Sequence, residues 1–381
     1  MPKQMRFSAR AAGLLFAVVC FPATAQVTFK EFVDYCIITG ASADGSVVVG
    51  TYDNGVGLSS ACRWTASGGV EVIAEPGSIF RRVAISRDGK TIVGTVSDSR
   101  GNFHAAIWQG GKNWRILNPF PGAVPSKEHA VSVANGVSGD GSVVVGHASL
   151  GEFKIAAMRW DAVNGMVNLG TFDVDAQSDS DAYTVSADGR TIIGWDYKAG
   201  FIPAGRGGSS LGGRRGAIWW DGRERLLHPF GWAGEAWATN DVGSIIVGQF
   251  HPLDANNSPL IGHGASTYKW TAWDGHFEDL GAAPIPIGID QTNYLSQPYA
   301  VSDDGSVLGG ESGRFDKFAM IWTYRSGTVF LSDFLNQVGV TEHKKWVSLS
   351  QINYISPDGH KVVGYGFPTQ ITIKSFIVTI P

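Results

Sequence analysis

The chain has 381 residues, with 30 basic and 34 acidic side chains, a formal charge of −4 and only 17% charged residues. Glycine stands at 50, about twice its usual share of roughly 7%, beside 13 tryptophans and a hydrophobic content of 44%. That apolar content excludes a disordered chain, the acidic balance argues against nucleic acid or an anionic membrane surface as partner, and no apolar run beyond the N-terminus can cross a bilayer.

The first 25 residues read as a signal peptide. Lys3, Arg6 and Arg10 precede an apolar stretch, Ala11 to Phe21, too short to span, and Ala23-Thr24-Ala25 has the small-x-small pattern of a cleavage site. A lipoprotein anchor at Cys20 is disfavoured, because Val18 and Val19 stand where small residues are needed. Residues 26–381 are then the mature domain of a bacterial protein that is secreted or periplasmic. Removing three of the 30 cations leaves 27 against 34 carboxylates, a mature charge of −7. Of three cysteines, Cys36 and Cys62 remain. In an oxidising compartment they read as one disulfide, with two buried free thiols as the alternative.

Beyond the leader, one phrase returns seven times. Ser42-Ala43-Asp44-Gly45-Ser46-Val47-Val48-Val49-Gly50 is the cleanest copy, and its marker glycine recurs at 45, 89, 141, 189, 243, 305 and 359. The fifth copy, Asn240-Asp241-Val242-Gly243, is degenerate. An Asp-Gly pair between short β-branched runs predicts a hairpin closed by a two-residue turn, and the glycine ending each second run predicts a sharp exit. A tryptophan strand follows (Trp64, Trp108, Trp160, Trp219, Trp270, Trp322), then a short turn and a fourth apolar run. The tryptophans repeat in one column and read as inter-blade core. Four short strands per unit of about 50 residues, seven times, predict an all-β, seven-bladed β-propeller with four-stranded blades. The last unit lacks a fourth strand, and Val27 to Phe32 is an unpaired strand-like run, so the N-terminal strand is expected to close the ring.

These phrases resemble the HAF-type extracellular repeat proteins, found also in bacterial autotransporter passengers and sorting-tagged surface proteins. The shared motifs are the Ser-x-Asp-Gly-x-Val-Val-Val-Gly hairpin and the Ala-x-x-Trp strand. The closing segment is the most specific: Leu331 to Leu335, Val338 to Val340, Trp346, Ile355 to Gly359 and Phe376 to Val378. Leu331 to Val340 is expected to form a short helix. The resemblance implies a propeller in an extracellular setting and carries no catalytic residues over. Neither a sorting tail nor an outer-membrane barrel follows Pro381, which points to a soluble secreted or periplasmic protein; a monomer without membrane insertion is expected.

Strand order puts the long, dissimilar loops on the face opposite the Asp-Gly turns, where function is expected. Two columns on the inner strands converge there. The first holds Ile37, Arg81, Val133, Asp181, Glu235, Gln297 and Gln351. The second, two residues on, holds Thr39, Val83, Asn135, Tyr183, Trp237, Tyr299 and Asn353. Past the second-strand glycine come His147, Trp195, Gln249, Glu311 and Tyr365. Aromatics beside amides and carboxylates suit a sugar, which predicts glycan or protein binding through Trp237, Tyr299, Gln297, Gln351, Asn353, Trp195 and Glu311. The competing reading is that they fill the channel mouth. For an enzyme, Asp181 and Glu235 can act as acid and base on a glycosidic bond. A lyase would use Tyr183, Tyr299 or His147 as base, with Arg81 neutralising a uronate. Asp173, Asp175 and Asp179 are candidate calcium ligands, although Ser178 stands where an EF-hand loop has glycine; a solvated acidic loop competes. No other cofactor is implied. Gly205 to Gly216 lacks the ending of a phosphate loop.

Overall fold

The computed structural model describes residues 26–34, 36–53, 59–75, 78–79, 82–111, 113–124, 130–151, 154–170, 179–197, 214–227, 232–252, 264–284, 294–313 and 316–381. Seven antiparallel four-stranded sheets follow one another along the chain. Blades 1 to 6 occupy residues 36–72, 84–116, 132–168, 180–226, 232–281 and 295–330, each running in sequence order from an inner to an outer strand. Blade 7 takes its inner three strands from Ser348–Ile355, Lys361–Phe367 and Lys374–Thr379 and its outer strand from the N-terminus, Thr28–Asp34, with Phe29 opposite Val378. The ring is closed as expected. A short helix, Leu331–Gln337, buries Leu331, Phe334 and Leu335 over this seam, in one cluster with Phe29, Trp346 and Phe376. No helix among the described residues is long and apolar enough to cross a membrane.

The seven marker glycines all have φ between 68° and 76°. The turn they close is longer than the two-residue form expected. Gly45 donates to Ser42 O and Ser42 to Val47 O, a four-residue loop on a type I turn with glycine alone in the left-handed region. The motif's other letters follow from its polar contacts. Ser42 Oγ donates to Asp44 Oδ1, which accepts the Ser46 N–H, and Val47 N–H returns to Ser42 Oγ. The same contacts recur at Ser86, Ser138, Ser186, Ser302 and Ser356. In the fifth copy Asn240 Oδ1 alone accepts from both Ser244 and Ile245, so position 242 is released from the aspartate requirement. Neighbouring turns are tied round the ring: Ala43 N–H to Arg87 O, Gly139 to Ala187 O, Ala187 to Asp241 O and Asp303 to Pro357 O.

The second-strand glycines also have a different cause from the one expected. They lie inside their strands. In six blades the inner strand carries a β-bulge that skips Thr39, Asn135, Tyr183, Trp237, Tyr299 or Asn353. The residue two before the bulge then points its carbonyl at the glycine of the second strand. A Cβ at Gly310 would lie 1.8 Å from Gln297 O, and one at Gly146 or Gly194 1.9 Å from Val133 O or Asp181 O.

Five of the six strand tryptophans are buried, and Trp64 is half-buried against Phe32. Cations from preceding blades cover three of them: Arg115 over Trp160, Arg225 over Trp270 and Lys269 over Trp322. In blade 1, Cys36 and Cys62 form the disulfide, which passes from inner to third strand over Gly50 of the strand between. Its sequence separation is 26 residues. Replacing both cysteines by serine is expected to cost about 3.5 kcal/mol through the freed unfolded chain. A lower stability in urea unfolding, with a slope raised by the more open unfolded chain, checks this; a loss near zero contradicts it.

Candidate binding site in the central channel

The seven second-column residues, Thr39, Val83, Asn135, Tyr183, Trp237, Tyr299 and Asn353, all line the central channel, around a cavity of about 240 Å³. Six of them are the bulge residues, which explains their convergence. A bulge residue has no ladder partner, and its side chain is turned toward the axis. Three clasp neighbouring blades: Asn353 donates to Ile38 O at 2.7 Å, Thr39 to Val83 O at 2.6 Å and Asn135 to Ala182 O at 2.9 Å. The aromatic three stack across the opening. Tyr183 lies on Trp237 with ring centroids 4.3 Å apart and 19° between planes, and Trp237 meets Tyr299 edge-on at 5.1 Å. Arg82 reaches from blade 2 to place its guanidinium 4.7 Å over Tyr299.

The described first-column side chains form a separate tier that does not line this cavity. Asp181 and Glu235 are 3% and 2% exposed, and Gln297 and Gln351 are also buried. Across the hairpin they face Trp195, Gln249, Glu311 and Tyr365 in register. Each carboxylate has a partner. Asp181 Oδ1 accepts from Asn135 Nδ2 at 2.9 Å and lies 2.9 Å from Nδ1 of the buried His147. Glu235 Oε1 accepts from Arg214 Nη1 at 2.6 Å, and the Arg214 guanidinium lies 4.1 Å over Trp195. Glu311 pairs with Lys317, and the Tyr299 hydroxyl is shared between Glu311 Oε1 and Gln297 Oε1, each at 3.0 Å.

The electrostatics follow from burial. Loss of water pushes the Glu235 carboxyl up, Arg214 draws it back, and the Asp181 charge adds to the rise. Burial, with the charges of Glu235 and Asp181, holds the Tyr183 hydroxyl well above its ordinary range; burial and Glu311 do the same to Tyr299. At neutral pH both tyrosines are donors rather than bases. At the turn side of the channel, Arg87 pairs with Asp241 and lies 3.8 Å from Asp303.

This fold is shared with proteins of known structure. The GH74 xyloglucanase from Xanthomonas campestris superposes with a TM-score of 0.55 at 12% identity, over 92% of this chain and 55% of that one. A prolyl endopeptidase gives 0.53 at 11% identity, over 93% and 50%. The β-propeller domain of the Trilobed protease from Pyrococcus furiosus gives 0.51 at 12% identity, over 91% and 94%. The chain is a β-propeller. At such identities the likeness is one of fold alone, and the chain spans about half the length of the first two proteins. No family model matches the chain, nor does any curated protein.

The remaining sequence candidates are placed as follows. Arg81, Asp173 and Asp175 lie outside the described residues. Asp179 Oδ1 accepts the Ile155 N–H at 3.0 Å. Among the described residues no three His, Cys, Asp or Glu side chains gather to hold a metal ion. Sequence reasoning missed Arg214, Lys317 and Arg82. A signal existed for the first two: a basic residue opens the third strand of blades 3, 4, 6 and 7, at Lys154, Arg214, Lys317 and Lys374.

Proposed function

We propose that this is an exported, soluble propeller that binds a glycan at the loop-side mouth of its central channel. The observation that carries the reading is the ionisable tier of blades 3 to 6, where His147, Asp181, Glu235 and Glu311 are buried while the side chains of Arg214 and Lys317 stay 38% and 42% exposed. Blade 1 contributes Ile37 and Thr39 to the same two columns and blade 7 Gln351 and Asn353, so closing the channel does not require charge. Buried charge costs free energy, and its concentration at one end of a channel marks a site. A ligand entering there meets cations first, with indole and phenol faces behind them, a set suited to sugar rings carrying hydroxyls and carboxylates. Export is supported by the leader pattern, the disulfide and the resemblance to HAF-type extracellular repeats.

Calorimetric titration with acidic and neutral bacterial and plant oligosaccharides tests this. Arg82, which has no carboxylate partner among the described residues, is the informative variant. Arg82→Gln is expected to weaken binding about tenfold while leaving the melting temperature unchanged. If no saccharide of the panel binds more weakly to Arg82→Gln, the reading is rejected and attention turns to a protein ligand.

One observation favours a second reading, that of a glycoside hydrolase or polysaccharide lyase. Burial raises the Glu235 carboxyl, Arg214 partly offsets this and Asp181 adds to it, a direction suited to a general acid. New reducing ends, lost in Glu235→Gln with binding retained, would establish a hydrolase, and ultraviolet absorbance of an unsaturated uronate would establish a lyase.

A further inference from the structure

Three departures from the repeat, far apart in sequence, meet in one groove on the Asp-Gly turn face between blades 4 and 5. The residue after the strand tryptophan is Thr65, Gln109, Asp161, Thr271 or Thr323 in other blades, but Trp220 in blade 4. In the following turn Ser67, Val163 and Arg325 correspond to Trp273 of blade 5. At the aspartate of the hairpin motif, only the fifth copy carries an apolar residue, Val242, released by the double role of Asn240. Trp220, Trp273 and Val242 are 59%, 81% and 69% exposed, and all three line a groove of about 680 Å³. Such a volume is within the roughly 300–1,000 Å³ range of small-ligand sites. The propeller needs none of these side chains, because the other blades fold with polar or smaller residues there.

The walls of the groove carry excess positive charge. Asp221 and Gly222, at φ 48° and 75°, make the two-residue turn that sets Arg223 directly opposite Trp220. Neither Arg223 nor Arg225 has a carboxylate partner among the described residues, although Arg225 also covers Trp270. Arg190 is spent on Asp221, with contacts of 3.2 and 2.7 Å. Of the lining carboxyls, Asp188 is turned into its own hairpin, accepting from Ser186 and the Arg190 N–H. Burial and the neighbouring Asp196 push the Glu224 carboxyl well above the ordinary carboxylate range.

We propose that this groove is a second binding site, separate from the channel, that takes an acidic oligosaccharide: sugar rings against Trp220 and Trp273, carboxylates on Arg223 and Arg225. The assignment does not depend on the channel reading. The test is calorimetric titration of the whole protein with trigalacturonate, oligomers of mannuronate and guluronate, hyaluronan tetrasaccharide, fully methyl-esterified trigalacturonate and decaproline. At least one acidic oligosaccharide is expected to bind, about tenfold more weakly in Trp220→Ala, Trp273→Ala or Arg223→Gln and unchanged in Arg82→Gln. Binding of the galacturonate is expected to fall on esterification and, for any acidic ligand, as salt rises. Circular dichroism and the melting temperature confirm that the surface variants fold. Failure of every acidic oligosaccharide to bind, binding intact in Trp220→Ala/Trp273→Ala, or binding of decaproline in their place overturns the proposal. Loss in Arg82→Gln alone would assign the ligand to the channel and equally overturn it.

Discussion

Gly310→Ala is expected to destabilise the protein by about 3 kcal/mol or more, a large share of a domain's total stability. The new Cβ would lie 1.8 Å from Gln297 O and 2.8 Å from Pro298 Cα, and both are backbone held by the bulge. No rotamer relieves such a contact. Relief requires separating the inner from the second strand, which breaks the ladder of blade 6. The control is Gly327→Ala, at the first residue of the outer strand of the same blade. There φ is 63° but the new Cβ meets nothing within 4 Å, so only the cost of a left-handed alanine remains, about 1 kcal/mol. Urea unfolding of the two variants should differ clearly in midpoint. Equal midpoints would show that the carbonyl approach does not require glycine.

Arg214→Ala is expected to cost about 3–5 kcal/mol, because it leaves the buried Glu235 carboxylate without its cation. The loss should depend on pH, and its sign is fixed by which state holds the proton. Without Arg214 the carboxyl is raised further by burial and by Asp181, so it stays protonated in the folded protein while the unfolded chain ionises above its ordinary carboxylate range. The stability deficit is therefore smallest near pH 4 and widens as pH rises toward 8. Arg214→Ala/Glu235→Gln should recover much of the loss and flatten the profile. A deficit independent of pH would place the role of Arg214 in its packing over Trp195 instead.

The architecture was legible because it is periodic. Seven hairpin phrases, six strand tryptophans and a strand missing from one end fix the blade count and the closure by Phe29 opposite Val378. The ring of channel residues was legible for the same reason, since equivalent positions in a repeat occupy equivalent places. What stayed hidden is not periodic or not local. An inner-strand bulge leaves no mark on composition, so the glycine of the second strand was read as an exit when it makes room for a carbonyl. The partner of Glu235 opens the third strand of the preceding blade, in a stretch that sequence alone showed as a glycine-rich loop. Trp220, Val242 and Trp273 each stand out against the repeat, but their meeting in one groove depends on which turns face each other between blades.

The central claim is that a glycan binds at the loop-side mouth of the central channel, where Arg82 lies over Tyr299 beside the charged tier of blades 3 to 6. Calorimetric titration of wild-type protein and Arg82→Gln, side by side against the same saccharide panel, tests it most directly. Saccharide binding that falls about tenfold in Arg82→Gln at unchanged melting temperature is the predicted result. A panel in which no saccharide binds more weakly to Arg82→Gln than to the wild-type protein would contradict it.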